Sequence, residues 1–397
     1  MITAAPADEA GIAAAIADAC AACEPLLVQG GGTKSAMLRP VQAARTLSTR
    51  NCSGMTLYSP GELVFSARAG TRMADVETTL SATGQHMIAE PPDFSLLLGT
   101  TGEQTLGGIV ATNFSGPRRI AAGAVRDHVL GVRAVNGTGE TIHSGGRVLK
   151  NVTGLDLCKL LAGSHGTLAV LTEITFKVLP APEDSCSVVL HGLAPHTAVA
   201  ALAAAVGSPF GVSGAAHLPP AAAARLGATQ SLTLARIEEF AASVAYRGEK
   251  LCVALNDFGH AEIWPGAVSR AAWASIRDAH VLPTDPDHAI WRVSVRPSRG
   301  PEVLAAARNA GADGYLDWAG GLVMLSGPAS EPVHAAMTGA VRRAGGIWLV
   351  LRAPAPWRAS VSVVPPEPAA LAALTHRVKA ALDPAGILNP GRIFAGV

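Results

Sequence analysis

The sequence predicts an α+β protein made of two units and a closing C-terminal tail, and three patterns carry that prediction. An apolar strand runs into a glycine triplet at LLVQGGGTKS (26–35). A capped helix start, a glycine turn and an apolar strand succeed one another in KNVTGLDLCKLLAGSHGTLAVLTEI (150–174). From 186 to 365 apolar runs alternate with Ala-rich helical stretches, the pattern of an antiparallel sheet backed by helices on one side.

Taken in order, residues 8–23 read as a helix and 26–29 as a strand. Further strands are expected around 56–58 and over 63–69, where apolar and polar residues alternate. TRMADVETTLSATG (71–84) places Met73, Val76 and Leu80 on one helical face and stops at Gly84. Residues 86–123 read as a long loop, because Pro91 and Pro92 forbid regular structure and glycines punctuate the remainder. A loop of that length inside a compact domain is usually functional. Alternating runs over 130–146 flank Asn136-Gly137, a hairpin signal. Asp156 can cap the helix after it, and Gly163 can end that helix in a left-handed conformation. Two prolines in FKVLPAPEDS (176–185) break the pattern. The expected units are therefore residues 1–182 and 183–365, with 366–397 a final helix, AALAALTHRVKAAL, and its tail. Strands of the second unit are expected at CSVVLHGL, LCVALNDF, IWRVSVR, LVMLSG, IWLVLRA and ASVSVV, and helices at TAVAALAAAV and PEVLAAARNAG. No internal repeat is evident.

Composition excludes several classes of function. Hydrophobic residues make up 49% and charged residues 15%, which fits an Ala-rich globular protein and not a disordered one. A net charge of +1, scattered Lys and Arg, and 4% aromatics offer neither the field nor the stacking platforms that nucleic acid requires. No stretch has the uninterrupted apolar length of a membrane helix. The Ala-rich N-terminus lacks a basic start and carries Asp8, Glu9 and Asp18, so it reads as a packed helix, and a cytoplasmic location is expected. The six cysteines show one C-x-x-C, Cys20 to Cys23, without further ligands at metal spacing, so free thiols and no metal site are expected.

The glycine loop is the first candidate site. Gly30, Gly31 and Gly32 let the backbone turn sharply and come close to a ligand, successive N–H groups there can form an anion nest, and Thr33, Lys34 and Ser35 add donors. The spacing is neither that of a Walker loop nor G-x-G-x-x-G, and AMLRP does not open a long helix. Taken alone, the triplet reads equally as a flexible turn. The loop 98–116 is the second candidate. Gly102, Thr105, Gly107, Gly108, Thr112, Asn113, Ser115 and Gly116 would let backbone lie flat against a planar ring system, with an irregular surface loop as the plainer alternative.

The order G-x-D-L-x-x-L-x-x-G-S-x-G-T-L-x-V-x-T-E in 154–173 resembles the FAD-linked oxidase family, whose flavin domain is shared with vanillyl-alcohol oxidase and para-cresol methylhydroxylase. SGPRR (115–119), VRDHVLGVRAVNG (125–137), KNVTGLDL (150–157) and NPGRIF (389–394) resemble most closely the E-subunit branch, that of bacterial glycolate oxidases. Thr153 and Leu155 depart from the branch's K-N-V-A-G-Y-D pattern. The resemblance implies a two-subdomain FAD-binding domain of the para-cresol methylhydroxylase type, a cap domain, and a tail that returns to the flavin. It also implies FAD contacts at Gly163 and Gly166 in the turn, at the backbone of Ile174 (adenine edge), and at Asn389 in the tail. The absence of a His from QGGGTKS implies noncovalent FAD. Lys150 and Asn151 could neutralise cofactor charge or be solvated.

A 2-hydroxy acid would need a cation for its carboxylate, since Arg grips carboxylates bidentately. Arg292 and Arg296 on an expected cap strand, and Arg118 in the flavin loop, are the candidates; exposed surface cations are the alternative. The resemblance implies two roles. One is an FAD subunit of a glycolate oxidase, working with a sister flavoprotein and an iron–sulfur subunit and able through them to sit at the periphery of the inner membrane. The other is a self-sufficient 2-hydroxy-acid dehydrogenase. A non-redox flavin-binding module is the remaining alternative.

Overall fold

The computed structural model describes residues 2–146, 155–283 and 285–396. At the N-terminus, strand Arg45–Ser48 lies between Ile2–Ala4 and Leu26–Gln29, all parallel. Helix Glu9–Ala21 covers this sheet. It starts where the Asp8 carboxylate accepts from the Gly11 N–H at 2.8 Å, and it buries Ile12, Ile16 and Ala19, one stripe of a 3.6-residue period.

The second sheet is antiparallel, in the order Met55–Ser59, Val64–Arg68, Ala169–Lys177, Val129–Asn136, Thr141–Gly145. Ala169–Lys177, the strand that ends the 150–174 segment (the signature segment, with 163–166 its signature turn), is thus the central one, paired on both edges. Between Val64–Arg68 and Val129–Asn136, helix Met73–Ser81 buries Met73, Val76 and Leu80 as the pattern predicts. The expected loop over 86–123 departs from its reading, because it contains helices Ser95–Leu98, Leu106–Thr112 and Arg119–Ala122. Thr105 caps the middle one by accepting from the Gly108 N–H, so Gly107 and Gly108 are first-turn helical residues. A Cβ on Gly107 would press on Ala69 at 2.8 Å, so helix and strand meet there backbone to backbone.

The cap is one eight-stranded antiparallel sheet in the order Ala261–Trp264, Asp184–His191, Leu232–Glu239, Val212–Leu218, Asp313–Asp317, Leu322–Pro328, His288–Ser294, Ile347–Arg352. Its connectivity reveals a repeat that the sequence hides. Each half is a βαββαβ unit, the first with helices Pro195–Gly207 and Ala241–Ala254, the second with Gly300–Asn309 and Glu331–Arg343. The halves join through His217 opposite Leu316. Cys186, Val188 and Leu190 pack with the first two helices, whereas Ser187 faces the other way, where its hydroxyl meets Ser269 and Trp273 of helix Gly266–Arg277. Helices therefore flank both faces of the first half.

Two expected strands are not strands: one is helical and the other passes from a helix end into irregular chain. The first half of LCVALNDF ends helix Ala241–Ala254, whose buried Val244, Gly248 and Leu251 keep helical spacing, and Asn256–Phe258 forms a short 3-10 turn. ASVSVV begins inside Ala355–Ser360, which Pro356 pre-sets for a first helical turn. Four strands escaped the apolar pattern, since Val212–Leu218 is rich in small residues and Leu232–Glu239 carries Arg236 and Glu238. Ala261–Trp264 and Asp313–Asp317 are too short to show a period.

The tail returns to the first sheet. Leu26 N–H donates to Ile387 O and Asn389 N–H to Leu26 O, so the tail extends the parallel sheet beside Leu26–Gln29. Helix Ala369–Leu382 has one buried residue, Lys379. Its ammonium donates to Asp383 at 2.6 Å, Thr167 O at 2.7 Å and Leu388 O at 2.9 Å, while Asp383 accepts from the N–H groups of Ile387 and Leu388. Removing one partner of a buried pair strands the other charge. Lys379→Met is expected to cost about 3–5 kcal/mol by that mechanism, measured as a lowered denaturation midpoint; an unchanged midpoint would show that the latch is not structural.

Candidate functional site

Tail, glycine loop, signature turn and the capped helix meet around one cleft. Of the residues expected at a cofactor, Gly30, Gly31, Gly32, Thr33, Lys34, Ser35, Thr105, Gly107, Gly108, Thr112, Gly166 and Asn389 line it. The glycines of the first loop are needed for packing as well as for access. A Cβ on Gly30 would strike Thr105, one on Gly31 the Glu103 carbonyl, and one on Gly102 the Gly31 carbonyl. The loop and residues 102–105 thus close on each other. The N–H groups of Gly31, Gly32, Thr33 and Lys34 make no hydrogen bond among the described residues, which leaves a row of donors.

Two cations stand beside that row. Lys34 Nζ donates to Gln104 Oε1 at 2.6 Å and meets no carboxylate among the described residues. Burial pulls its ammonium down to about 8, partly opposed by Asp93. Arg392 donates to Lys34 O at 2.6 Å and Ser35 O at 3.2 Å, and burial, with Arg358 nearby, pulls it to about 10. Unpaired positive charge next to free backbone donors is the environment a diphosphate would satisfy.

The signature turn is held in left-handed geometry, with φ of +90° at Gly163, +54° at His165 and +70° at Gly166. Gly163 and His165 N–H donate to Val110 O and Ala111 O, docking the turn on the Leu106–Thr112 helix. Asn389 locks the other side: its amide donates to His165 O at 2.9 Å and Val28 O at 3.2 Å, and accepts from Val28 N–H at 2.8 Å. Its side chain therefore ties three segments together at the cleft wall.

Other expected residues lie elsewhere. Ile174 is in mid-strand, fully buried between Ala67 and Val132; the cleft instead meets that strand at Ala169, Val170 and Leu171. Its backbone is spent on the ladder, so a reading of the adenine edge by Ile174 does not fit. Gly102 serves loop packing, and Asn113 caps its helix while accepting from Arg126 N–H. The Ser115 hydroxyl accepts from Val125 N–H, Gly116 packs on Glu90, and Gly163 lies beside Asn113. Asp156 caps Leu157–Leu161 as expected, accepting from Lys159 N–H. Lys150, Asn151 and Thr153 lie outside the described residues.

The three arginine candidates separate clearly. Arg296 is exposed. Arg118 donates to Glu238 at 2.7 and 2.9 Å and sits 3.4 Å from Glu90, so its guanidinium is occupied. Arg236 closes that network on Glu90 at 2.8 and 2.9 Å. Burial raises both carboxyls, but the arginines outweigh it and hold Glu90 below its usual range and Glu238 at about 2. Arg292 stacks on Phe114 at 5.3 Å and Trp318 at 4.9 Å, and burial pulls it to about 10. It has no carboxylate partner among the described residues. Phe114 in turn meets His165 edge-on at 6.4 Å, so one aromatic ring separates Arg292 from the cleft.

Not singled out from the sequence were Arg392, although it stands in NPGRIF, and His165, the one titratable residue of the signature turn. Burial holds His165 neutral, at about 3. Among the described residues no group of His, Cys, Asp and Glu could hold a metal, and all six cysteines are free thiols.

Comparison with known proteins gives the site its chemistry. Residues 2–145 match the FAD binding domain family and 367–393 the C-terminal domain of FAD linked oxidases. Over 373 residues the chain is 33% identical to glycolate oxidase subunit GlcE of Escherichia coli K12, covering 94% of this chain and 93% of that protein. The chain belongs to the FAD-linked oxidase family. Its cofactor is FAD, and the spare N–H groups, Lys34 and Arg392 have the chemistry that would suit its diphosphate. A D-lactate dehydrogenase of Archaeoglobus fulgidus is 32% identical over 161 residues, 40% of this chain and 34% of that one. The solved 4-ethylphenol oxidase of Gulosibacter chungangensis shares the fold, with a TM-score of 0.72 at 13% identity over 99% of this chain and 89% of that one. An alkyldihydroxyacetonephosphate synthase gives 0.70 at 16% identity, over 98% and 76%. No helix of the described residues is long and apolar enough to cross a membrane.

The Lys34 ammonium predicts a pH dependence. In the apoprotein it keeps its proton below about pH 8, and a bound diphosphate favours the protonated form, so binding takes up a proton above that pH. FAD affinity is expected to fall as pH rises past about 8, by up to about tenfold per pH unit, and Lys34→Met should flatten the profile. Titration of apoprotein with FAD by flavin fluorescence measures both.

Proposed function

We propose that this chain is the FAD-binding subunit of a glycolate-oxidase-type complex and that its cap presents a carboxylate-binding arginine, Arg292, to a 2-hydroxy acid near the flavin. The observation carrying this reading is the pairing of near full-length similarity to a glycolate oxidase subunit with an unpartnered arginine one ring from the FAD cleft. Bound FAD supplies the two-electron acceptor. The chain's own contribution is orientation: Arg292 grips the carboxylate, and Phe114 and Trp318 wall the approach and keep water out. Residues 1–182 serve as the FAD unit, 183–365 as the cap and 366–397 as the closing helix and tail, with FAD held noncovalently. Electrons then leave through partner polypeptides, a sister flavoprotein and an iron–sulfur subunit, with the assembly in the cytoplasm and peripheral to a membrane at most.

The unpartnered state of Arg292 favours oxidation by this chain itself over a purely cofactor-holding role. The test is the visible spectrum of the purified chain before and after glycolate is added without oxygen. Flavin absorption that bleaches is expected; a flavin that stays oxidised would assign oxidation to the partner instead. Arg292→Met is expected to raise the glycolate concentration needed for bleaching about 10–100-fold, the worth of a charged hydrogen-bonded contact.

A further inference from the structure

Arg292 is not the only unmatched cation at the junction of the two units. Arg119, at the start of helix Arg119–Ala122, lies over the same indole. Both guanidinium carbons are 4.9 Å from the Trp318 ring centroid, so they stand at most twice that distance apart. Neither has a carboxylate within 4.0 Å nor a side-chain hydrogen bond among the described residues. Both residues are half-buried and not sealed from solvent. Their neighbours do not need them for balance, since Arg118 and Arg236 are matched by Glu90 and Glu238. Cation–π contact offsets only part of the desolvation of two guanidinium groups.

The indole that both arginines contact is held in place with effort. Trp318 and Ala319 both lie in the left-handed region, at φ +53° and +57°, and Gly320 comes next at +101°. Two consecutive side-chain-bearing residues in that region persist only where surroundings impose it, and such strain gathers at ligand sites. Here Asp317 accepts from Trp318 N–H at 2.7 Å, and the indole N–H donates across to Gly116 O at 3.1 Å. The neighbouring carboxyl, Asp317, makes no ion pair within 4.0 Å of either arginine among the described residues, and burial pushes it up to about 7.

We propose that Arg119 and Arg292 together form a two-cation subsite, and that this chain takes a short 2-hydroxy acid carrying a second carboxylate in preference to a monocarboxylate. The proposal rests on the 2-hydroxy-acid reading for its hydroxyl and on the arginine pair for its two charges. A single carboxylate satisfies one guanidinium and leaves the other bare; two carboxylates satisfy both.

Calorimetric titration of the FAD-loaded protein with succinate, malate, acetate and glycolate tests it, since succinate and acetate bind without being hydroxy acids. Succinate and malate are expected to bind at least tenfold tighter than acetate and glycolate. Arg119→Met should weaken the diacids at least tenfold more than the monoacids, and Arg119→Lys, which keeps the charge, should retain part of the preference. Diacids binding no tighter than monoacids, or an Arg119→Met loss equal for both, overturns the subsite, even if glycolate bleaches the flavin. A diacid preference in a protein whose flavin no hydroxy acid bleaches supports the subsite and sinks the hydroxy-acid reading instead.

Discussion

The contact on which the site depends is made by the last residues of the chain. Lys379 and Asp383 form a buried pair that is also saturated by Thr167 O, Leu388 O and two backbone N–H groups. Such a pair is weak as a source of net stability but strong as a specifier, because every alternative path for the tail would leave a buried charge bare. Once the tail is fixed at Leu388, Asn389 falls where its amide can join Val28 to His165, and Arg392 falls beneath the carbonyls of Lys34 and Ser35. The glycine loop and the signature turn are far apart in sequence. The tail is what makes them two walls of one cleft.

A second constraint acts across the junction with the cap. Glu90 and Arg118 from the flavin unit interleave with Arg236 and Glu238 from the cap sheet. Desolvating four charges is costly, so the network selects one relative placement of the units more than it stabilises them. That placement carries Gly116 O to the Trp318 indole and Phe114 to Arg292.

Much of this was legible in sequence wherever a local rule governed the outcome. The Asp156 cap, the left-handed Gly163 and the helix carrying Met73, Val76 and Leu80 all depend on neighbours a few residues away. The glycine loop was legible for a similar reason, since close backbone approach leaves glycine as the residue that fits. The failures were non-local. LCVALNDF has an apolar run that suits a strand or a helix, and only its packing on Cys186 and Val188 decides. The βαββαβ repeat leaves no residue identity behind, because each unit needs only apolar positions at the right spacing. Ile174 was misplaced because its ladder partners on both edges cannot be seen from the strand alone. Arg118 and Arg292 look alike in sequence; what separates them is that Glu90 and Glu238 close around one and not around the other.

The two halves of the cap have divided their labour along these lines. Their strands form one continuous sheet, with the joint at His217 and Leu316, and both halves turn an arginine toward the flavin unit. In the first half that residue is Arg236, closed by Glu90 and stacked on Trp273 at 4.8 Å. In the second it is Arg292, stacked in the same manner on Trp318 but with no carboxylate to close it among the described residues. An arginine–aromatic platform is thus used twice, once paired and once open. A charge kept open at such cost in a folded chain is one that an arriving anion would offset, and the open platform lies one aromatic ring from the cleft wall.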